Sequence, residues 1–133
     1  MSDEISHQDL QTLAAIRREM RAFMHFSEGE AQAQGLTPQQ HQAMLAIAGS
    51  ERGELTVGEL ADALILKPHS TSGLVSRLEV LGMVERSGTD DDARRRIICL
   101  TGAGTDRIKA LSEAHRVEFR RLRAMLVRLL NRL

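Results

Sequence analysis

Four groups of side chains in this sequence are of types that do chemistry. Lys67-Pro68-His69-Ser70-Thr71-Ser72, with Arg77 beyond, sets a cation, an imidazole and three hydroxyls close together. Asp90-Asp91-Asp92 is followed after one residue by Arg94-Arg95-Arg96, then by the lone thiol Cys99 and by Gly102-Ala103-Gly104. Most of the reactions these groups suggest fail on spacing. Three consecutive aspartates offer oxygens to a hard cation, but neighbours on a hairpin tip splay apart and no further acid joins them, so no metal site is predicted. The glycine pair lacks the Lys and the spacing of a phosphate loop, and the start of a helix explains it. Ser, His and Asp occur without a nucleophile elbow, so neither catalysis nor a cofactor is expected. Cys99 cannot close an internal disulfide; a half-buried structural thiol is its plain reading and redox sensing the sharper one. What survives is hydrogen bonding by hydroxyls, an imidazole and guanidiniums.

These groups are positioned by a chain that reads as helices with one short β interruption. Leu10, Leu13, Ile16, Met20 and Phe23 step by three or four and predict a helix over 7–33, with Gly35 as its stop. Thr37-Pro38-Gln39-Gln40 is a capping box with Pro at the first helical position, and opens a second helix to Gly49. A further capping box, Thr56-Val57-Gly58-Glu59, opens a short helix; the turn Ile65-Leu66-Lys67 leads into another at Pro68. That helix should bury Leu74, Val75, Leu78 and Leu81 and close at Gly82. Two short helices on so tight a turn have the layout of a helix-turn-helix. The period then changes: Met83–Arg86 and Arg96–Leu100 read as two strands joined by the polar segment Ser87 to Arg95. Thr101 caps a last long helix in which Phe119, Leu122, Leu126, Leu129 and Leu133 form a narrow apolar stripe. Stripes on both end helices exceed what a small central unit can cover, which predicts a two-fold homodimer, the other choice being that they fold back on their own chain.

Composition narrows the function classes. The 133 residues suit a single domain, 1–133, and 42% apolar content supports a packed core. With three Phe and no Trp or Tyr, stacking of unpaired bases on aromatic platforms is disfavoured, whereas reading of a duplex groove is not. Net charge is zero, yet residues 1–66 carry a balance of −6 and residues 67–133 a balance of +6. The basic half suits one nucleic-acid-facing surface, though a dipolar surface without a partner would look the same. The opening MSDEISHQDL has no basic-then-apolar signal pattern and no stretch reaches membrane length, so a cytoplasmic protein without a membrane partner is expected.

The order helix, helix, helix-turn-helix, β-wing, long helix resembles the MarR family of transcriptional regulators. The likeness is sharpest in GLTPQQHQAMLAI (Gly35 to Ile47), in ELADALILKPHSTSGLVSRLEVLGMVER (Glu59 to Arg86), and in the wing pattern from Asp92 through Arg94 to Leu100-Thr101. It implies a mainly α fold with a small β-hairpin wing, in which helices 7–34 and 102–133 dimerise and 37–101 form the winged unit. The implied function is sequence-specific binding of double-stranded DNA by a homodimer, most often as a repressor on a palindromic operator; a winged-helix protein-interaction module without DNA contact is the alternative. Residues in the first turns after the tight turn enter the major groove, here Lys67, His69, Ser70, Thr71 and Ser72, with Arg77 reaching a phosphate. For the three hydroxyls, satisfying the helix N-terminus is the competing explanation. The resemblance gives Arg94 the minor groove, Asp92 the task of holding it, and Arg95 and Arg96 the backbone; a solvated, self-neutralising charge run is the bland version. Gly73 departs from relatives that carry a longer side chain there. The resemblance also implies a small aromatic or anionic effector between the end helices and the winged unit, with Arg17, Arg21, Met24, His25 and His41 as candidates, residues that an amphipathic helix face explains equally well.

Overall fold

A computed structural model describes residues 3–88 and 96–133; the wing-tip positions Asp90, Asp91, Asp92, Arg94 and Arg95 lie outside the described residues. The element order is α1 (His7–Ala33), α2 (Pro38–Ala48), β1 (Glu54–Thr56), α3 (Val57–Leu64), α4 (Pro68–Val80), β2 (Val84–Ser87), β3 (Ile97–Leu100) and α5 (Gly102–Leu130). Hydroxyl side chains define four of the five helix starts. Ser6, Thr37 and Thr56 each accept the amide of the residue three on, and Asp9, Gln40 and Glu59 return the bond to the cap amide. Thr101 accepts from Gly104. Each such cap is worth about 1 kcal/mol, enough to fix where a helix begins.

The sheet is three-stranded and antiparallel in the order β1-β3-β2, so the wing has one more strand than its two apolar runs suggest. Glu54 and Leu55 pair with Cys99 and Ile98, and Val84 pairs with Leu100. Ile98 is fully buried at the centre, beneath Met44 and Ile47 of α2, Leu60 of α3, and Val75 and Leu78 of α4. This core seats the helix-turn-helix on the sheet.

Two turns set the direction of α4. At its end Gly82, at φ +74°, lets the Met83 amide bond the Leu78 carbonyl at 3.0 Å and turns the chain into β2. Leu81 is the C-cap of α4 and half exposed, so it leaves the buried face that the 3–4 spacing assigns it. At the end of α3 the same kind of turn is made by Ile65, at φ +55° and ψ +48°, with Leu66 bonding the Ala61 carbonyl at 2.9 Å. A β-branched residue in the left-handed region is strained.

The long end helices pack on each other, and Arg107 of α5 donates to the Gln34 carbonyl at the C-terminus of α1, where a cation suits the helix dipole. Along the stripes, Leu122 and Leu129 are buried within the chain, whereas Leu10, Leu13, Met20, Phe119, Leu130 and Leu133 remain exposed.

Candidate nucleic-acid interface

The face that α4 offers is set by which of its positions the core takes. Thr71, Leu74, Val75 and Leu78 fall at i, i+3, i+4 and i+7 and are buried. Thr71 is therefore a correction to the groove-facing set: it is 0% exposed, and its hydroxyl donates to the Lys67 carbonyl at 3.0 Å. His69, Ser70 and Arg77 are exposed on the outer face, as is Lys67, whose side chain makes no cap bond. Ser72 is half-buried on the flank, its carbonyl accepting the Ser76 hydroxyl at 3.1 Å. A Cβ on Gly73 would stand 4.0 Å from Arg77 Nη2, so the Arg77 guanidinium reaches back along the helix over the gap that the glycine leaves. From Lys67 to Leu78 the chain has no acid. The one acid of α4, Glu79, takes Arg86 Nε of β2 at 2.8 Å.

Arg86 escapes the sequence reading and yet organises this face. Strand alternation places it on the same side as buried Val84, over α4, where Nη2 also donates to Ser76 Oγ at 3.0 Å. The only hint in the sequence is a charged residue two positions after a core valine. On the other wing strand, Arg96 is half-buried at the foot of β3.

A second feature lies behind the winged unit. A cleft of about 1130 Å³ opens between α1, α2, α5 and the sheet, with Phe23 and Phe119 on one wall and Leu45 and Leu100 on another. The two phenyl rings stand 4.6 Å apart. Lys109, Arg116, Arg120 and Arg123 line its α5 side, with Glu113 as the one acid among the lining residues. At its floor, His115 joins α5 to α1. Its Nδ1 lies 2.7 Å from the Leu111 carbonyl, which can only accept, so Nδ1 carries hydrogen and Nε2 faces Ser27 Oγ at 2.8 Å. His41 stacks at 4.9 Å from His115, is 2% exposed, and its Nδ1 has no hydrogen-bond partner among the described residues. Burial first, then the electrostatic effect of the neighbouring His115 imidazole, pushes the His41 pKa below its ordinary value.

The effector candidates divide between two places. His41 lines the cleft, whereas Arg17, Arg21, Met24 and His25 line a separate concavity of about 610 Å³ on a different face of α1. The heptad-like spacing of α1 shows which residues share a face but not which face meets α2. Cys99 borders the cleft, half-buried; burial first, then Glu85 and Glu54, raise its thiol pKa, which keeps it protonated and slow to react. Among the described residues no group of three or more His, Cys, Asp or Glu could hold a metal ion, and no helix is long and apolar enough to cross a membrane.

A helix-turn-helix backed by an antiparallel wing and flanked by long helices defines a winged helix-turn-helix protein. The MarR family model matches residues 34–95, the span of the winged unit, and the chain has the fold of the MarR family structures to which it is similar. A MarR family protein from Bacillus stearothermophilus is similar at 25% identity and TM-score 0.72, over 90% of this chain and 82% of that one. AbsC, a MarR family transcriptional regulator from Streptomyces coelicolor, superposes with TM-score 0.72 at 21% identity, over 90% and 81%. A mutant of MepR from S. aureus, bound to an oligodeoxyribonucleotide, does so with TM-score 0.70 at 19% identity, over 89% and 94%. No curated protein matches the chain in sequence.

Proposed function

We propose that this chain is a sequence-specific regulator of transcription that binds double-stranded DNA as a homodimer in the cytoplasm, acting as a repressor on a palindromic operator. The observation that carries the reading is the outer face of α4: a cation, an imidazole, a hydroxyl and an arginine stand exposed on it, no acid lies between Lys67 and Leu78, and the wing strands flank it. His69 and Ser70 contact base edges in the major groove, and Lys67 and Arg77 contact phosphates. Arg94 enters the flanking minor groove, with Asp92 holding it and Arg95 and Arg96 on the backbone. The DNA-bound MepR structure supports this use of the fold. The apolar side chains left exposed on α1 and α5 form the dimer contact, which sets two α4 helices roughly 34 Å apart.

Release by a small molecule fits the cleft rather than the outer face of α1. Two phenyl rings and four cations around one acid suit an aromatic anion, with His41 and His115 beneath it. Ligand binding there would bias the spacing of the two α4 helices, because the cleft touches both the end helices and β3.

Fluorescence anisotropy over a salt series tests the reading, with DNA from upstream of the chain's own gene and an unrelated duplex as control. The expected result is preference for the upstream DNA, a steep fall with salt, and a loss of about 1–3 kcal/mol in His69→Ala or Arg94→Ala. Absence of binding to both duplexes at low salt refutes the proposal. Benzoate and hydroxybenzoate, titrated into the complex, test release, and Arg116→Ala should weaken any effect.

A further inference from the structure

We propose that Arg86 is the positioning residue of the DNA-reading surface, holding α4 at a fixed rotation against the wing without itself touching DNA. The inference rests on the DNA-binding reading above.

The argument begins with geometry. Arg86 Nε donates to Glu79 Oε1 at 2.8 Å, and its Nη2 donates to Ser76 Oγ at 3.0 Å and towards the Ser72 carbonyl at 3.5 Å. Residues 72, 76 and 79 stand at i, i+4 and i+7, a single line along one flank of α4. One planar guanidinium therefore spans two turns of the helix. Its donors are fixed in a plane, so it resists both rotation and sliding of α4, which the point charge of a lysine would not. Ser76 adds to this by donating to the same Ser72 carbonyl at 3.1 Å.

The location separates this task from core stability. Thr71, Leu74, Val75 and Leu78 already seat α4 on the sheet, and an apolar stripe of that kind tolerates some rolling of the helix. The Arg86 contacts sit at the edge of the stripe, between it and the outward face of His69, Ser70 and Arg77, where they set the angle at which those residues leave the protein. The pair also deals with the one acid on α4: Glu79, unpaired, would set a negative charge beside a phosphate-facing surface. Its carboxylate, on a side chain 37% exposed, is instead paired with a guanidinium whose side chain is 19% exposed.

Glu79→Gln and Arg86→Lys, with Arg86→Met as the variant that removes the charge, are conservative enough to keep the fold, checked by circular dichroism and by sedimentation. Each is compared with wild type and with the double variant for binding to the upstream duplex and to the unrelated one over a salt series. The positioning role predicts that each single change weakens upstream binding about tenfold, the size of one good base contact. Unrelated DNA is less affected, the salt slope is unchanged, and the double variant is no worse than either single. Three results overturn it: Glu79→Gln tightening binding to both duplexes, which makes Glu79 a mere repeller; a salt slope about one charge lower in Arg86→Met, which makes Arg86 a phosphate contact; or wild-type discrimination in both single variants. If wild type binds neither duplex, the DNA-binding reading has failed first and takes the role of Arg86 with it.

Discussion

Gly104→Ala should loosen the joint between α5 and the wing far more than so small a change normally does. A Cβ built on Gly104 would lie 2.1 Å from the Met83 carbonyl oxygen, 3.0 Å from its carbon and 3.3 Å from its Cα. All three are backbone atoms, so no side chain can swing aside. The same oxygen accepts the Thr101 amide at 3.0 Å, and Thr101 is the cap of α5 and donates its hydroxyl to Gly82. Relieving the clash requires the first turn of α5 and the start of β2 to part by about the overlap, on the order of 1 Å against ordinary contact. Overpacking of this kind costs about 1–3 kcal/mol, and loss of the Thr101 bond adds roughly 1 kcal/mol; the better helix propensity of Ala returns at most about 1 kcal/mol. The net expectation is a destabilisation of ~1–3 kcal/mol. Urea unfolding at fixed protein concentration, as the proposed dimer demands, measures it. Gly102→Ala is the control, since nothing lies within 4 Å of a Cβ there, and it should be neutral or slightly stabilising. Gly104→Ala within about 0.5 kcal/mol of wild type, the ordinary range for a surface change, would refute the packing argument.

Three further outcomes follow from the same geometry. Ile65→Gly should stabilise the fold by about 1 kcal/mol, because Ile65 is 91% exposed and contributes left-handed strain rather than packing; an unchanged or lower unfolding midpoint contradicts this. Burial lowers the His41 pKa in the folded state, so the unfolded chain binds more protons as pH falls towards and below the ordinary histidine value of 6.5. Stability should therefore fall between pH 7 and pH 5, and His41→Gln should flatten that dependence; equal pH slopes in both proteins would show that the burial of His41 is not the cause. Leu130→Glu, on an exposed apolar position of α5, should weaken the proposed dimer at least tenfold in analytical ultracentrifugation, and self-association of unchanged strength would contradict the proposed interface.

The sequence is explicit where one local rule decides and silent where distant segments meet. The starts of α1, α2, α3 and α5 are legible because a hydroxyl followed three residues later by its partner is a local signal. β1 is not, since three residues are too few to show alternation and Thr56 reads as a helix cap, which it also is. The burial of Thr71 follows from its phase with Leu74, Val75 and Leu78; the preference for a hydroxyl at a helix start obscures it. Arg86 bonds residues seven to fourteen positions away across a turn, and Ser27 meets His115 across 88 positions, so neither contact leaves a periodic trace. The separation of His41 from Arg17, Arg21, Met24 and His25 depends on how α1 is rotated against α2, which helix periodicity leaves open.

Selection of bound duplexes from a random pool, followed by sequencing, tests the central claim most directly. A dimer that presents two copies of α4 should enrich an imperfect palindrome with half-site centres about 10 base pairs apart, and the enrichment should collapse for Ser70→Ala with His69→Ala. Enrichment of a single asymmetric site, or none above the starting pool, would contradict the account.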